Sequence, residues 1–365
     1  MTAHRRLRVV IAPDSFKGSL PAAEAAAALA AGWLARRPGD EVTCVPLADG
    51  GEGTLGVLAA VTPASWCHAT VTGPGGDPVD CAWLELPGQV AVVELARSSG
   101  LTLLAARDPL GAHTAGLGET IGHALDAGAR EVVVALGGSA STDGGTGALA
   151  ALGARFLDAD GHPLPPGGGP LTSLAAADLT GLRRPPAGGV TCLADVTAPL
   201  LGPHGAAAAY GPQKGANAGQ VTLLEAGLAR LATVLGGDPA APGTGAAGGT
   251  GYGLSAGWDA AITPGAPRLA ELSGLGPALA TADLVITGEG GYDQTSLAGK
   301  VTGTVLAAAA ARGIPAALVA GQLTGQPPVT AVALADLAGG TGQALADPPR
   351  WLRAAAGELA SGTGH

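Results

Sequence analysis

Five polar clusters carry most of the chemistry in a 365-residue chain of which only 13% is charged. The first, Ala12-Pro13-Asp14-Ser15-Phe16-Lys17-Gly18-Ser19, lies between an apolar run and a helix opening at Pro21. Ser15, Lys17 and Ser19 beside a helix N-terminus outline an anion site; Ser19 could equally cap that helix. The second, Asp49-Gly50-Gly51-Glu52-Gly53-Thr54, formally contains a dinucleotide fingerprint at Gly51-x-Gly53-x-x-Gly56. Asp49 and Glu52, however, put negative charge where a pyrophosphate would lie, so these carboxylates better suit Mg2+ or a substrate hydroxyl. The third, Gly137-Gly138-Ser139-Ala140-Ser141-Thr142-Asp143-Gly144-Gly145, offers backbone N–H groups and hydroxyls to an anion. It is not a Walker A loop, because GxxxxGK[ST] occurs nowhere. Asp195, Tyr210-Gly211-Pro212-Gln213-Lys214-Gly215 and Gly245–Gly249 make the fourth. The fifth is Thr287-Gly288-Glu289-Gly290-Gly291-Tyr292-Asp293 with Gly299-Lys300, where Glu289, Asp293 and Lys300 suit a phosphate–metal complex.

All three lysines of the chain, Lys17, Lys214 and Lys300, stand beside a glycine inside these clusters, whereas the other 16 basic residues are arginines. A compact ammonium on a flexible stem can follow a moving phosphoryl group in a way a planar guanidinium cannot. The net charge of −10 and the lack of any lysine-rich run argue against nucleic-acid binding. Apolar runs are too short for a membrane span or a secretory leader. Four scattered cysteines without a CxxC pair suggest reduced thiols and a cytoplasmic protein. Gly and Pro, 62 and 28 residues, make up about a quarter of the chain, but 47% hydrophobic content with so little charge is the composition of a globular protein.

The elements that must position these clusters alternate. Strands are expected at 7–12, 42–47, 90–95, 131–136, 190–194, 283–287, 316–320 and 329–334. Helices are expected at 21–35, 116–127, 223–235, 305–311 and 350–359. Several clusters directly follow a strand, which in an open α/β sheet is the ligand-binding edge. The near-continuous apolar strands predict a mostly parallel sheet. Irregular stretches at 160–170, 183–189 and 236–253 suggest a second domain inserted in the middle. The tail after Ala354 has few visible anchors and is expected to fray.

Taken together, Ile11–Ser19, Leu47–Thr54, Gly137–Ala140, Tyr210–Ala216 and Thr287–Gly290 resemble the signature blocks of bacterial glycerate kinases, in the expected order, from about Val10 to Gly321. The resemblance implies a two-domain α/β fold. A discontinuous Rossmann-like domain would cover 1–72 and 265–365, an inserted α/β domain 73–264, and the active site would lie in the cleft between them. It implies ATP- and Mg2+-dependent phosphorylation of D-glycerate, most simply to 2-phosphoglycerate, with no nucleic acid or membrane partner; a homodimer is an admissible assembly. Asp49 or Asp195 would take the hydroxyl proton or hold Mg2+, with Lys17 beside them in catalysis. Lys17, Lys214 and Lys300 would share the substrate carboxylate and the phosphoryl group, with Ser15, Ser19, Gly137, Gly138 and Ser139 as further substrate and phosphate contacts. Gly288, Glu289, Gly290 and Asp293 would contact nucleotide, Glu289 also metal. Five family positions differ: Gly291 stands for Arg, Thr142 and Ala198 for Asn, Ala194 for Cys, and Thr302 for Pro. The missing guanidinium at Gly291 keeps two alternatives in view, a kinase for a related small hydroxy acid and a catalytically silent ligand-binding relative. A nicotinamide oxidoreductase rests only on the Gly51 fingerprint.

Overall fold

The computed structural model describes residues 5–16 and 18–362. The chain begins with β1 (Arg8–Ile11), crosses through the helix Ala22–Arg36 and returns as β2 (Glu41–Cys44), parallel to β1 with Val10 opposite Thr43. There follow β3 (Ser65–Thr72), β4 (Pro78–Leu86), β5 (Val90–Glu94), β6 (Glu131–Ala135), β7 (Arg155–Leu157), β8 (Ala176–Asp178), β9 (Val190–Leu193) and β10 (Ala261–Thr263). The chain closes with β11 (Leu284–Tyr292), β12 (Ala316–Leu323) and β13 (Thr330–Ala333).

These strands sort into two compact units. The first takes the described residues of Met1–Asp49, Gly56–Thr62 and Gly265–His365 and holds an all-parallel sheet in the order β13-β12-β11-β1-β2. Val9 and Ile11 of β1 face one helix layer, Val10 the other, so both faces of the strand are buried and it reads as a continuous apolar run. From β1 the chain moves outward to β2; from β11 it moves outward the opposite way through β12 to β13. The carboxyl ends of β1 and β11 therefore form a topological switch point.

The C-terminal segment corrects the expectation of a frayed tail. Pro348–Gly362 is a helix whose Leu352, Ala355, Ala356, Leu359 and Ala360 are buried against the helix Ala22–Arg36. The contact depends on Gly32, where a Cβ would lie 2.2 Å from the Arg353 carbonyl oxygen. Three of these five anchors are small alanines, which carry little weight in a search for large apolar residues.

The second unit, Gly50–Leu55 and Pro63–Pro264, holds a six-stranded sheet in the order β10-β9-β6-β5-β4-β3. Its β5, β6, β9 and β10 run parallel, whereas β3 and β4 add an antiparallel edge. β3 pairs with β4 from Ser65 opposite Glu85 to Thr72 opposite Pro78, which places residues 65–72 with this unit rather than with the first. Its sequence, SWCHATVT, lacks the apolar run by which the other strands were legible. A small hairpin, β7–β8, and a helix Ala218–Leu235 capped by Asn217 and Gln220 occupy the middle of the chain. The stretch expected to be irregular through 253 instead becomes helical at Ala246–Trp258, interrupted by left-handed backbone at Ala247, Gly248 and Gly249.

Candidate active site

In the first unit the switch point draws three clusters to one sheet edge. The Ala12 amide donates to Ile286 O and the Asp14 amide to Gly288 O, both at 2.8 Å, while Thr287 Oγ1 donates to Ala12 O at 2.8 Å. The Leu47 amide donates to Pro13 O at 2.9 Å, which carries the approach to Asp49 along the same edge. Three carboxylates at this edge are buried: Asp14, Asp49 and Glu289. Asp14 Oδ1 accepts the Ser15 amide at 2.6 Å. Glu289 Oε1 has no hydrogen-bond partner, and neither has Thr302 Oγ1, buried in the first turn of the helix Val301–Ala310. Buried polar atoms are almost always paired, so a bare carboxylate oxygen at a ligand-binding edge fits a cation or a ligand donor.

The remaining residues of this unit have more local bonds. Ser15 and Ser19 are half-buried, and Ser19 Oγ donates to Phe16 O at 2.8 Å rather than capping the following helix, whose N-cap is Pro21. Asp293 is exposed; its Oδ1 accepts Thr295 N at 2.7 Å and Thr295 Oγ1 at 2.6 Å, and the Thr295 hydroxyl holds its carboxyl below the usual carboxylate range. Lys300 Nζ donates to Thr295 Oγ1 at 3.4 Å. Gly288 packs tightly, a Cβ there falling 2.4 Å from Val319 O, whereas Gly290 is half-buried and Gly291 exposed with open space around it. Lys17 lies outside the described residues.

In the second unit the carboxyl ends of β5, β6 and β9 bring Glu94, Gly137 and Asp195 to one edge. Gly137 and Gly138 pass close over Gly51 and Glu52; a Cβ on Gly137 would stand 2.7 Å from Gly51 Cα. The Gly137 amide donates to Gly50 O at 3.4 Å. Buried Glu94 holds the neighbouring turn: Oε1 accepts the Gly53 amide, and Oε2 accepts Arg97 Nε at 3.0 Å. Burial pushes the Glu94 carboxyl up, against the opposing pull of Arg97 and the Gly53 amide. Asp195 is exposed, and its charge adds to burial in pushing the Tyr210 phenol up.

The densest network surrounds Asp143, which is fully buried. Its Oδ2 accepts Thr114 N at 2.9 Å, Thr114 Oγ1 at 2.7 Å and Gly147 N at 3.2 Å; its Oδ1 accepts Ser141 Oγ at 3.0 Å and Gly145 N at 3.2 Å. Lys214 is buried beside the same loop. Its Nζ donates to Ser141 O and reaches Ser139 Oγ at 3.5 Å. Desolvation lowers the Lys214 ammonium to about 8, with Asp143 pulling the other way. Gly248, with φ +67°, closes over this point: a Cβ would lie 2.0 Å from Ser141 O and 2.9 Å from Lys214 Nζ.

The structure therefore assembles Asp14, Asp49, Gly288 and Glu289 at one edge, and Gly137, Gly138, Ser139 and Lys214 near another. Asp14, Glu94 and Asp143 were not singled out from the sequence. Glu94, an acid closing the apolar run Val90–Val93, and Asp143, an acid wedged between hydroxyls and paired glycines, carried the clearest signal. Among the described residues no helix is long and apolar enough to cross a membrane, and all four cysteines are free.

The glycerate kinase family model matches residues 9–362. A protein of Bacillus subtilis (strain 168) named glycerate kinase is 41% identical over 320 residues, 85% of this chain and 83% of that one. A glycerate 2-kinase of Escherichia coli (strain K12) is 40% identical over 304 residues, 81% and 80% of the two chains. A crystal structure of a Salmonella typhimurium LT2 protein, provisionally named glycerate kinase 2, superposes with a TM-score of 0.87 at 37% identity, covering 98% of each chain.

Proposed function

The chain belongs to the glycerate kinase family, and on that premise we propose that it transfers the γ-phosphoryl group of ATP to a hydroxyl of D-glycerate, giving 2-phosphoglycerate. The observation that carries this reading is the match over 9–362, which spans both units and every polar cluster. The specific product rests on the Escherichia coli relative named glycerate 2-kinase.

Phosphoryl transfer needs an oriented acceptor, in-line approach and neutralised phosphate charge. The chain has groups for each task. Asp49 or Asp195 takes the proton of the reacting glycerate hydroxyl. Lys17 and Lys300 bind the substrate carboxylate and the phosphoryl oxygens, with Ser15 and Ser19 as neighbouring hydroxyl donors. Lys214 uses N–H donors on Ser141 O and Ser139 Oγ, which leaves a third ammonium donor for a phosphoryl oxygen. Gly137, Gly138 and Ser139 bring backbone and hydroxyl donors to the phosphates, as do Gly288 and Gly290 at the nucleotide. Asp293 orders the turn before Lys300.

Mg2+ fits the donor set on one observation, the bare buried oxygen of Glu289; Asp49 is the second carboxylate at that edge. When bound, the ion would neutralise phosphate charge there. The setting is a soluble, cytoplasmic small-molecule enzyme, in keeping with four free cysteines.

A kinase for a related hydroxy acid is the second reading, favoured by Gly291 at the family's Arg position. A coupled ATP assay across small hydroxy acids, with the phosphorylated position read by phosphorus NMR, separates the two. D-glycerate as the preferred substrate, phosphorylated at O2, supports the first; preference for another acid supports the second.

A further inference from the structure

The glycine-rich loop after β6 has the composition of an anion cradle, yet its last donors are already occupied by the protein's own anion. The amides of Gly145 and Gly147 both donate to the Asp143 carboxylate, which also receives two bonds from Thr114, the N-cap of the helix Ala115–Asp126. Gly145 is itself the N-cap of the helix Thr146–Ala151. Two helix starts thus converge on one buried carboxylate, whose charge their N–H groups stabilise. The approach is close enough to require glycine: a Cβ on Gly147 would lie 2.8 Å from the Thr114 and Ala115 nitrogens and 3.0 Å from Asp143 Oδ2.

From this anchor a short path leads to Lys214. Asp143 Oδ1 accepts Ser141 Oγ, and the carbonyl of that same Ser141 accepts Lys214 Nζ. Ser139 Oγ, within 3.5 Å of Lys214 Nζ, receives the Ser141 amide at 3.2 Å. Asp143 is the charged side chain that acts on Lys214.

We propose that Asp143 is the positioning residue of this loop: its buried carboxylate fixes Ser141 and, through the Ser141 carbonyl, holds the Lys214 ammonium charged and aimed, without itself meeting substrate. The inference rests on the phosphotransferase reading for the use of Lys214, but not for the link between the two residues. Removing the charge of Asp143 leaves an ammonium desolvated with only neutral acceptors, so the proton should leave it more easily.

Three lysines make this directly measurable. With 13Cε-labelled lysine the full chain gives three side-chain signals, and Lys214→Arg identifies the one from Lys214. In Asp143→Asn its titration midpoint should fall by about one pH unit or more, and the alkaline limb of kcat/KM for D-glycerate should fall with it. Ser141→Ala keeps the charge but cuts the link, and should move the midpoint the same way by a smaller amount. A folded Asp143→Asn protein with an unmoved midpoint overturns the proposal, as does a moved midpoint that the kcat/KM profile does not follow. If Asp143→Asn does not fold, Ser141→Ala decides alone: a shifted midpoint supports the link and an unshifted one overturns it. The NMR titration needs no substrate. A wild-type protein that fails to phosphorylate D-glycerate would therefore defeat the functional reading, while the midpoints still decide the role of Asp143.

Discussion

Asp143 and Glu289 are both buried carboxylates flanked by glycines, Asp143 in the loop after β6 and Glu289 within the last residues of β11, and they are equipped in opposite ways. Asp143 receives five hydrogen bonds from its own loop and from Thr114. Glu289 leaves Oε1 with none. A fully satisfied buried carboxylate organises backbone, because losing it strands several donors at once. An unsatisfied one costs stability unless something outside the chain completes it, which is the behaviour expected of a binding group. Motif composition alone does not separate these two roles; the count of partners does.

The largest expected effect is on Glu289 and Asp49. Glu289→Gln and Asp49→Asn should each lower kcat with D-glycerate by roughly two to four orders of magnitude, while the melting temperature of Glu289→Gln holds or rises because a buried charge with an unpaired oxygen has gone. A melting temperature that collapses in Glu289→Gln would make Glu289 a structural residue like Asp143. Asp143→Asn should show the reverse balance in thermal unfolding. Replacing an acceptor by an amide turns donor against donor, at a cost on the order of 3 kcal/mol; for a unit of this size that is a fall of about 6–12 °C. An unchanged melting temperature would erase the distinction between the two carboxylates.

The contrast also shows how much of the molecule was legible. Strands such as β1 and β6 could be read because both faces are buried and the apolar run is continuous. β3 could not, since it lies at a sheet edge and alternates with Ser, His and Thr. Lys17, Lys214 and Lys300 were visible through the rarity of their type, and Asp49 and Glu289 through their glycines. Asp143 was hidden, because its partners Thr114 and Gly147 come from 29 residues before it and four after it, and only the fold shows that it turns inward. Ser19 illustrates the opposite error: its spacing to Pro21 suggests a cap, but its hydroxyl closes a tighter turn on Phe16.

The next effect is a pH signature at Lys214. Its ammonium, lowered to about 8 by desolvation, should lose activity as pH rises through about 8, since the neutral amine no longer attracts phosphate. Stability runs the other way. Between about 8 and the ordinary lysine value of 10.5 the unfolded chain binds the proton that the folded one has lost, so this group makes unfolding harder as pH rises across that window. Urea unfolding at two pH values inside it, for the wild type and Lys214→Met, checks this: the variant should lack the increment. The smallest change is expected at Gly291, whose backbone is not left-handed and whose Cβ would meet nothing within 4 Å. Gly291→Arg should fold normally and lower KM for D-glycerate or ATP by a few-fold, to roughly 1 kcal/mol in binding. A raised KM would indicate that the open position serves a different acid.

Phosphorylation of D-glycerate by ATP is read out by incubating the purified full chain with both compounds and Mg2+ and following the products by phosphorus NMR. Stoichiometric ADP and a new phosphomonoester coupled to the proton at C2 of glycerate are expected. ATP left unconsumed in the presence of D-glycerate would contradict this activity.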